Sequence, residues 1–422
     1  MVGLTHILNS CSSSSKEKTL LPPMLEKAPE GKLLKAGVIG CGGRGTGAAI
    51  NFLNAGPGTE ITALADVFQD RLDTCQENLK KAKGIEIEDE NCFTGFNAFR
   101  QLLETDVDVV ILATPPHFRP EHFEACVQAQ KHVFMEKPVA VDPVGVRKVM
   151  IAGKKAEQLG LTVVAGTVKR HQKDFIDIYK RVNNGAIGDI VSANSYYNVG
   201  KLWNRKPKAE WSEMEAMIRD WVNWCWLSGD HIVEQHLHNL DVANWFIGKH
   251  PQQALGFGGR HRRETGDQFD FFSVDYVYDN DVHVHSMSRQ INACDNRVGD
   301  VIRGTKGYAN PENTIYHPDG TIKYSYDYPL DQNGVKMKSM LMQAYDQEHI
   351  NLVTSIRKNM AFNETQNVAE ATMTAIMGRL SAYTGKSVSW DEMMNSDLHL
   401  GPKHYAFGTV NIPKQIPKPG ID

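Results

Sequence analysis

The segment from 229 to 241 reads Gly-Asp-His-Ile-Val-Glu-Gln-His-Leu-His-Asn-Leu-Asp, a polar cluster in which three histidines lie among three carboxylates and two amides. On a helix, Glu234, His238 and Asp241 fall at i, i+4 and i+7 and share one face. An imidazole titrates near neutrality. His238 therefore suits removal of a hydroxyl proton while a hydride leaves the same carbon, with Glu234 as its orienting carboxylate. Two other readings fit the same residues. His231, Glu234 and His238 are metal-ligand types, although the H-E-x-x-H spacing is absent. A polar helix cap followed by a solvated stripe needs no chemistry at all. The spacing favours the base, and no metal is assigned. A second group is Met135-Glu136-Lys137-Pro138. A lysine held at a strand end can donate a hydrogen bond to a reacting oxygen and relay a proton, with Glu136 fixing its position. Taken alone, E-K-P reads more readily as a surface turn.

Such groups need a partner that accepts hydride, and the N-terminal part of the chain supplies a site for one. An apolar run from Leu33 leads into Gly40-x-Gly42-x-x-Gly45, and Asp66 follows 21 residues after Gly45, at the end of a second apolar run. The first glycine makes a tight turn, the second admits a pyrophosphate to the backbone, and the third lets the next helix pack on the strand. The helix from about Thr46 to Asn54 aims its first N–H groups at the phosphates. Gly40, Gly42, Gly43, Arg44, Gly45 and Asp66 form the expected cofactor set. A carboxylate at Asp66 accepts from ribose hydroxyls and repels a 2′-phosphate, so NAD is expected rather than NADP. Arg44 reads as a pyrophosphate or surface contact.

These residues must be carried by two units, because 422 residues exceed one ordinary domain. From Leu33 to Gly166 strands and helices alternate. Val107–Ala113, His132–Met135 and Thr162–Ala165 are strands. Pro120–Gln130 and Pro143–Leu159 are helices. This is a doubly wound parallel sheet whose ligand lies at the strands' C-terminal ends. The second half is α+β, with strands over Asp189–Asn198, Asp270–Tyr278, Val282–Arg289 and Asp300–Arg303. One helix spans about Ile232–Phe246, and two late ones span Gln347–Lys358 and Val368–Thr384. An open, mainly antiparallel sheet follows, with a face that a second subunit could cover. The division is a leader over 1–30, a Rossmann unit over 31–166 and a substrate and assembly unit over 167–422.

Composition narrows the partners. Hydrophobic residues are 41% and charged residues 23%, ample for a core, and a net charge of −4 without basic runs excludes a nucleic-acid partner. The seven cysteines show no CxxC or metal spacing and read as free thiols. Leu8-Asn9-Ser10-Cys11 resembles the end of a lipoprotein signal, so a lipid anchor at Cys11 and export are expected, with a polar leader in a cytoplasmic protein as the alternative. No segment is apolar and long enough to span a membrane. Trp203, Trp211, Trp221, Trp224 and Trp226, with Tyr196 and Tyr197, precede the polar cluster. Such rings stack on the C–H faces of sugars.

Together these features resemble the glucose–fructose oxidoreductase / inositol dehydrogenase / MocA family over about Leu33 to Thr384. The resemblance rests on the glycine loop, the E-K-P after the fifth strand and the downstream acid–histidine pair. Thr114-Pro115 with His117, and Gly304-Thr305-Lys306-Gly307, are also similar to the family. It implies a Rossmann domain followed by an open-sheet domain, forming dimers or tetramers. It further implies NAD-dependent oxidation of a secondary hydroxyl on a sugar or related compound. By this resemblance Lys137 lies beside the reacting hydroxyl and His238 is its acid/base. Glu234 stands where the family has an aspartate, and His236 where it has a small residue. Thr114, Pro115, His117, Glu136 and Lys137 join the cofactor set, and Arg170, His171, Trp224, His236 and Asp241 the substrate set. The tryptophan-rich insert and the lipoprotein-like start are similar to the exported bacterial branch, in which tightly bound NAD would recycle.

The expected function is transfer of hydride from a sugar or glycoside hydroxyl, such as that on C3, to tightly bound NAD. The alternative is an NAD-dependent glycoside hydrolase like the α-N-acetylgalactosaminidases. There oxidation at C3 acidifies the C2 proton, and His236 or a tyrosine removes it before elimination. A redox-silent binding protein on the same fold would have no reason to keep Lys137 and His238.

Overall fold

The computed structural model describes residues 21–421. Six strands form the first sheet: β1 (Leu34–Ile39), β2 (Thr59–Asp66), β3 (Cys92–Thr94), β4 (Val109–Leu112), β5 (His132–Met135) and β6 (Val163–Ala165). All pair in parallel, in the order β3-β2-β1-β4-β5-β6. Helices cover both faces, so β4, the run Val-Val-Ile-Leu, is buried at every residue. The order reverses between β1 and β4, which opens a crevice at their C-terminal ends. The helix Pro143–Gln158 starts where the sequence directs it. Asp142 accepts a hydrogen bond from Gly145 N at 2.8 Å, and proline occupies the first turn.

The second sheet has nine strands. They are β7 (Ile190–Val199), β8 (Gln253–Gly259), β9 (Phe271–Tyr278), β10 (Val282–Gln290), β11 (Arg297–Gly304), β12 (Gly307–Asn310), β13 (Thr314–Tyr316), β14 (Ile322–Ser325) and β15 (Val388–Ser389), in the order β14-β13-β12-β11-β7-β10-β9-β8-β15. Only β7 and β10 pair in parallel. Burial along β9 alternates at every residue, because the helices Leu237–Ile247 and Thr365–Thr384 cover one face and leave the other open. Leu255, Phe257 and Met287 are exposed on strands of this sheet.

Three expectations change. The helix expected over Ile232–Phe246 is two pieces, His231–Glu234 and Leu237–Ile247. Gln235 N and His236 N both donate to the His231 carbonyl, and the His236 ring turns to Ser286 on β10, so tertiary bonds interrupt the helical ladder. The helix Leu341–Arg357, which a linear division places in the second unit, returns to the first. Ile350, Leu352 and Val353 share a core with Val38, Ile111 and Phe134. Residues 21–30 are irregular yet packed, not a free leader. Ala28 is buried, its N–H donates to Ala55 O at 2.8 Å, and Arg357 donates to Pro29 O. Cys11 and the rest of the expected leader lie outside the described residues. Six cysteines are free thiols among the described residues.

Candidate active site

The glycine turn has the geometry a pyrophosphate requires. Gly40 adopts φ +95°, a conformation costly for residues with a Cβ. A Cβ on Gly45 would stand 1.9 Å from the Gly40 carbonyl oxygen, so only glycine lets the helix Gly43–Asn54 approach β1 so closely. A Cβ on Gly42 or Gly43 would meet nothing within 4 Å, which leaves the backbone open to a ligand. The N–H groups of Gly43, Arg44 and Gly45 find no acceptor among the described residues. They are the free donors of a helix N-terminus, where an anion binds.

Asp66 ends β2 beside this turn. Its carboxylate accepts from Cys41 N at 2.7 Å and Phe68 N at 3.0 Å, and burial raises its pKa. A cavity of about 430 Å³ runs from Asp66 past Gly42 and Gly43 to Thr114, Pro115 and Phe118. Trp203, Arg205 and Trp221 line it from the second unit. The residues present therefore fit a dinucleotide: open glycines and free N–H groups for the pyrophosphate, a carboxylate for ribose hydroxyls, and aromatic walls.

Lys137 follows β5 and lies outside the lining of this cavity. Its ammonium donates to the Glu234 carbonyl at 2.5 Å and stands 3.2 Å from Glu234 Oε1. Both side chains are about nine-tenths buried. His238, on the helix Leu237–Ile247, is half-buried, and its imidazole makes no hydrogen bond to any described residue. Burial, together with the Lys137 and Lys169 charges, holds its pKa well below the usual histidine value of 6.5. Lys169 Nζ lies 3.5 Å from Asp300 Oδ2, and Asn239 donates to the same oxygen at 2.8 Å. Burial pushes Asp300 up to about 6. The two ammonium groups that oppose protonation of His238 are each matched by a carboxyl, Lys137 by Glu234 and Lys169 by Asp300.

Residues 34–166 match the model described as "Oxidoreductase family, NAD-binding Rossmann fold", and residues 175–310 match the "GFO/IDH/MocA C-terminal domain". The chain belongs to the Gfo/Idh/MocA oxidoreductase family. Its first domain is therefore an NAD-binding domain. Inositol 2-dehydrogenase of Salmonella typhimurium is 26% identical over 219 residues, 51% of this chain and 54% of that protein. An uncharacterized oxidoreductase of Streptococcus pneumoniae is 26% identical over 254 residues, 59% of this chain and 60% of that one. The chain thus spans little more than half the length of these curated relatives. Among solved structures, scyllo-inositol dehydrogenase from Lactobacillus casei with bound NAD(H) and scyllo-inositol superposes with a TM-score of 0.62 at 21% identity. It covers 84% of this chain and 98% of its own. Aldose-aldose oxidoreductase from Caulobacter crescentus superposes at 0.65 and 17% identity, covering 84% and 99%. These likenesses establish the fold.

In this Gfo/Idh/MocA chain several expected site residues have other partners. Arg44 touches the cavity, but its guanidinium lies 3.0 Å from Glu136, donates to Asn51 at 2.9 Å and stacks on Tyr345. Glu136 consequently binds Arg44, while Glu234 holds the Lys137 ammonium. His117 points away from the cavity lining to the Tyr405 hydroxyl, 2.7 Å distant, and burial lowers its pKa to about 3. Arg170 and Asp241 form a buried bidentate pair at 2.9–3.0 Å, leaving neither free for a substrate. His171 is fully buried and uses both nitrogens, toward Glu364 and Asn351. His236 is fully buried against Ser286 Oγ at 2.6 Å. Trp224 packs in a cluster with Phe68, Met217 and Trp226, whereas Trp203 and Trp221 face the cofactor cavity. Trp203 and Trp221 of the tryptophan-rich insert therefore line the same cavity as Asp66 and the glycine turn.

His231, Glu234 and His238 turn to different neighbours. His231 lies between Asp230 and Ser288, and Glu234 on Lys137. Among the described residues no cluster of three or more metal-ligand side chains occurs, and no helix is long and apolar enough to cross a membrane. Lys169, Asp300, Gln235 and Arg71, which lines the cavity from the helix after β2, were not singled out from the sequence; Tyr197 was read only as one of several rings able to stack on a sugar.

Proposed function

We propose that this protein oxidises a secondary ring hydroxyl of a sugar or glycoside, such as that on C3, using tightly held NAD. One observation carries the reading: a carboxylate-held ammonium at Lys137, and an imidazole at His238 that has no hydrogen-bond partner among the described residues and whose pKa is lowered by burial and by that same ammonium charge. NAD, when bound, supplies the hydride acceptor. His238 accepts the hydroxyl proton, because its depressed pKa keeps it neutral at pH 7. An ammonium has three donors; Glu234 takes two of Lys137's, and the third is free for the oxygen that gains negative charge. Glu234 sets the direction of that donor. The inositol and aldose oxidoreductases among the relatives and structural neighbours support a polyhydroxy substrate. The exposed apolar residues of the second sheet's open face support assembly into dimers or tetramers.

The hydrolytic alternative has one support. The 2,7-anhydro-N-acetylneuraminate hydratase of Escherichia coli is 29% identical over 153 residues, 36% of this chain and 37% of that enzyme. Incubation with p-nitrophenyl glycosides separates the two readings. An oxidised glycoside or reduced nicotinamide indicates dehydrogenation. Nitrophenol without net NADH indicates hydrolysis. No reaction across sugars and cyclitols removes both.

The pH profile tests the base directly. A depressed pKa keeps His238 neutral to lower pH, so the acid limb of kcat/KM lies below the ordinary histidine value of 6.5. Lys169→Met removes one of the two cations opposing protonation. The imidazole then protonates at higher pH, and the acid limb moves up. An unmoved limb excludes His238 as the base.

A further inference from the structure

Next to Glu234 the structure holds a hydrogen-bond chain. The Tyr197 hydroxyl donates to Gln235 Oε1 at 2.7 Å, and Gln235 Nε2 donates to Glu234 Oε2. The other carboxylate oxygen, Glu234 Oε1, stands 3.2 Å from the Lys137 ammonium. Only one polarity satisfies every member. An ionised carboxylate accepts and never donates, so Gln235 must present its NH₂ end to Glu234. Its carbonyl end then faces Tyr197 and needs a donor, which the phenol supplies. A reversed amide would set a carbonyl against a carboxylate.

Each member is held by its own part of the fold. Tyr197 lies on β7, paired with Val298 of β11. Gln235 occupies the break between the two helices, where its side chain leaves the helical path. The His236 ring, pinned by Ser286, lies 6.4 Å from the Tyr197 ring.

We propose that Tyr197 and Gln235 are positioning residues for Lys137. The phenol fixes the amide, the amide fixes the Glu234 carboxylate, and the carboxylate aims the ammonium. A glutamate side chain has several rotatable bonds, and freezing them costs entropy. Two opposed hydrogen bonds, one on each oxygen, hold it in a single rotamer. Burial and the neighbouring Glu234 charge push the Tyr197 phenol up to about 12, so it remains a donor across the working pH range. The inference rests on the reading of Lys137 as the group beside the reacting oxygen.

The test uses Tyr197→Phe and Gln235→Leu in the full chain with NAD present. The first readout needs no substrate: acetylation of Lys137 by an amine-selective reagent, followed by peptide mass spectrometry. The second is kcat and KM with p-nitrophenyl glucosides. Melting temperature and NAD affinity report the fold. Loss of a hydrogen bond to a charged group corresponds to about tenfold. Gln235→Leu should therefore label Lys137 about tenfold faster and lower kcat by a similar factor, with KM and NAD affinity within about twofold. Tyr197→Phe should do the same to a lesser degree, and it decides alone if Gln235→Leu fails to fold. Wild-type labelling rates in folded variants overturn the proposal, as does a parallel fall of kcat, NAD affinity and melting temperature. Faster labelling in a protein that turns over no glycoside keeps the relay and removes the carbohydrate reading.

Discussion

Lys137→Ala should lower turnover by about 10²–10⁴-fold, the usual range for loss of a proton-handling group, and leave NAD affinity unchanged. The two quantities should separate because the ammonium touches Glu234, while the glycine turn and Asp66 line a cavity that Lys137 does not reach. Glu234 keeps its bond from Gln235 in the variant but loses its cation. With both side chains about nine-tenths buried, removing one partner costs stability on the order of 3–5 kcal/mol. The assay is therefore run well below the variant's melting temperature. Steady-state rates on a responsive glycoside and a fluorescence titration with NAD give the answer. Loss of both, or of neither, contradicts the role.

Gly45→Ala should abolish NAD binding, with affinity down by about a hundredfold or more and a lowered melting temperature. The new methyl would sit 1.9 Å from the Gly40 carbonyl oxygen and 3.3 Å from the Ala113 Cβ. Backbone cannot rotate away as a side chain can. The helix Gly43–Asn54 must move off β1, and overpacking of this kind costs about 1–3 kcal/mol. The same movement withdraws the N–H groups of residues 43–45 from the phosphates. Gly42→Ala is the informative contrast. Its methyl meets nothing within 4 Å, so melting should be unchanged while the methyl occupies the space that the pyrophosphate needs. Calorimetry and NAD titration of the two variants distinguish packing from ligand approach. Equal affinities in Gly45→Ala and wild type would remove the glycine turn from the cofactor site.

Much of the site was legible in residue order alone. The glycine turn, the acid closing β2 and every strand of the first sheet except the three-residue edge strand β3 follow from patterns only a few residues long. Each depends on local conformation or on burial of a continuous apolar run. Lys137, Glu234 and His238 were singled out by type; the structure pairs Lys137 with Glu234 across 97 residues and places His238 on the separate helix that follows a break, not on one helical face with Glu234. The two-residue strand β15 and the three- and four-residue strands β12, β13 and β14 were not legible, because strands this short carry too few residues to show a period.

Residue order already contained the glycine turn, the acid at the end of β2 and the chemical types of the proposed Lys137 and His238 pair, since backbone sterics and acid–base character are properties of short segments. The fold assigned their neighbours. Arg170 finds Asp241 at a separation of 71 residues, His171 finds Glu364 at 193 and His117 finds Tyr405 at 288. Each looked like a free functional group, and each is itself buried and bonded to its partner. A buried charge or imidazole must be matched, and which group matches it depends on how distant segments pack. The same packing leaves the His238 imidazole without a hydrogen-bond partner among the described residues, and that is why the base is proposed there.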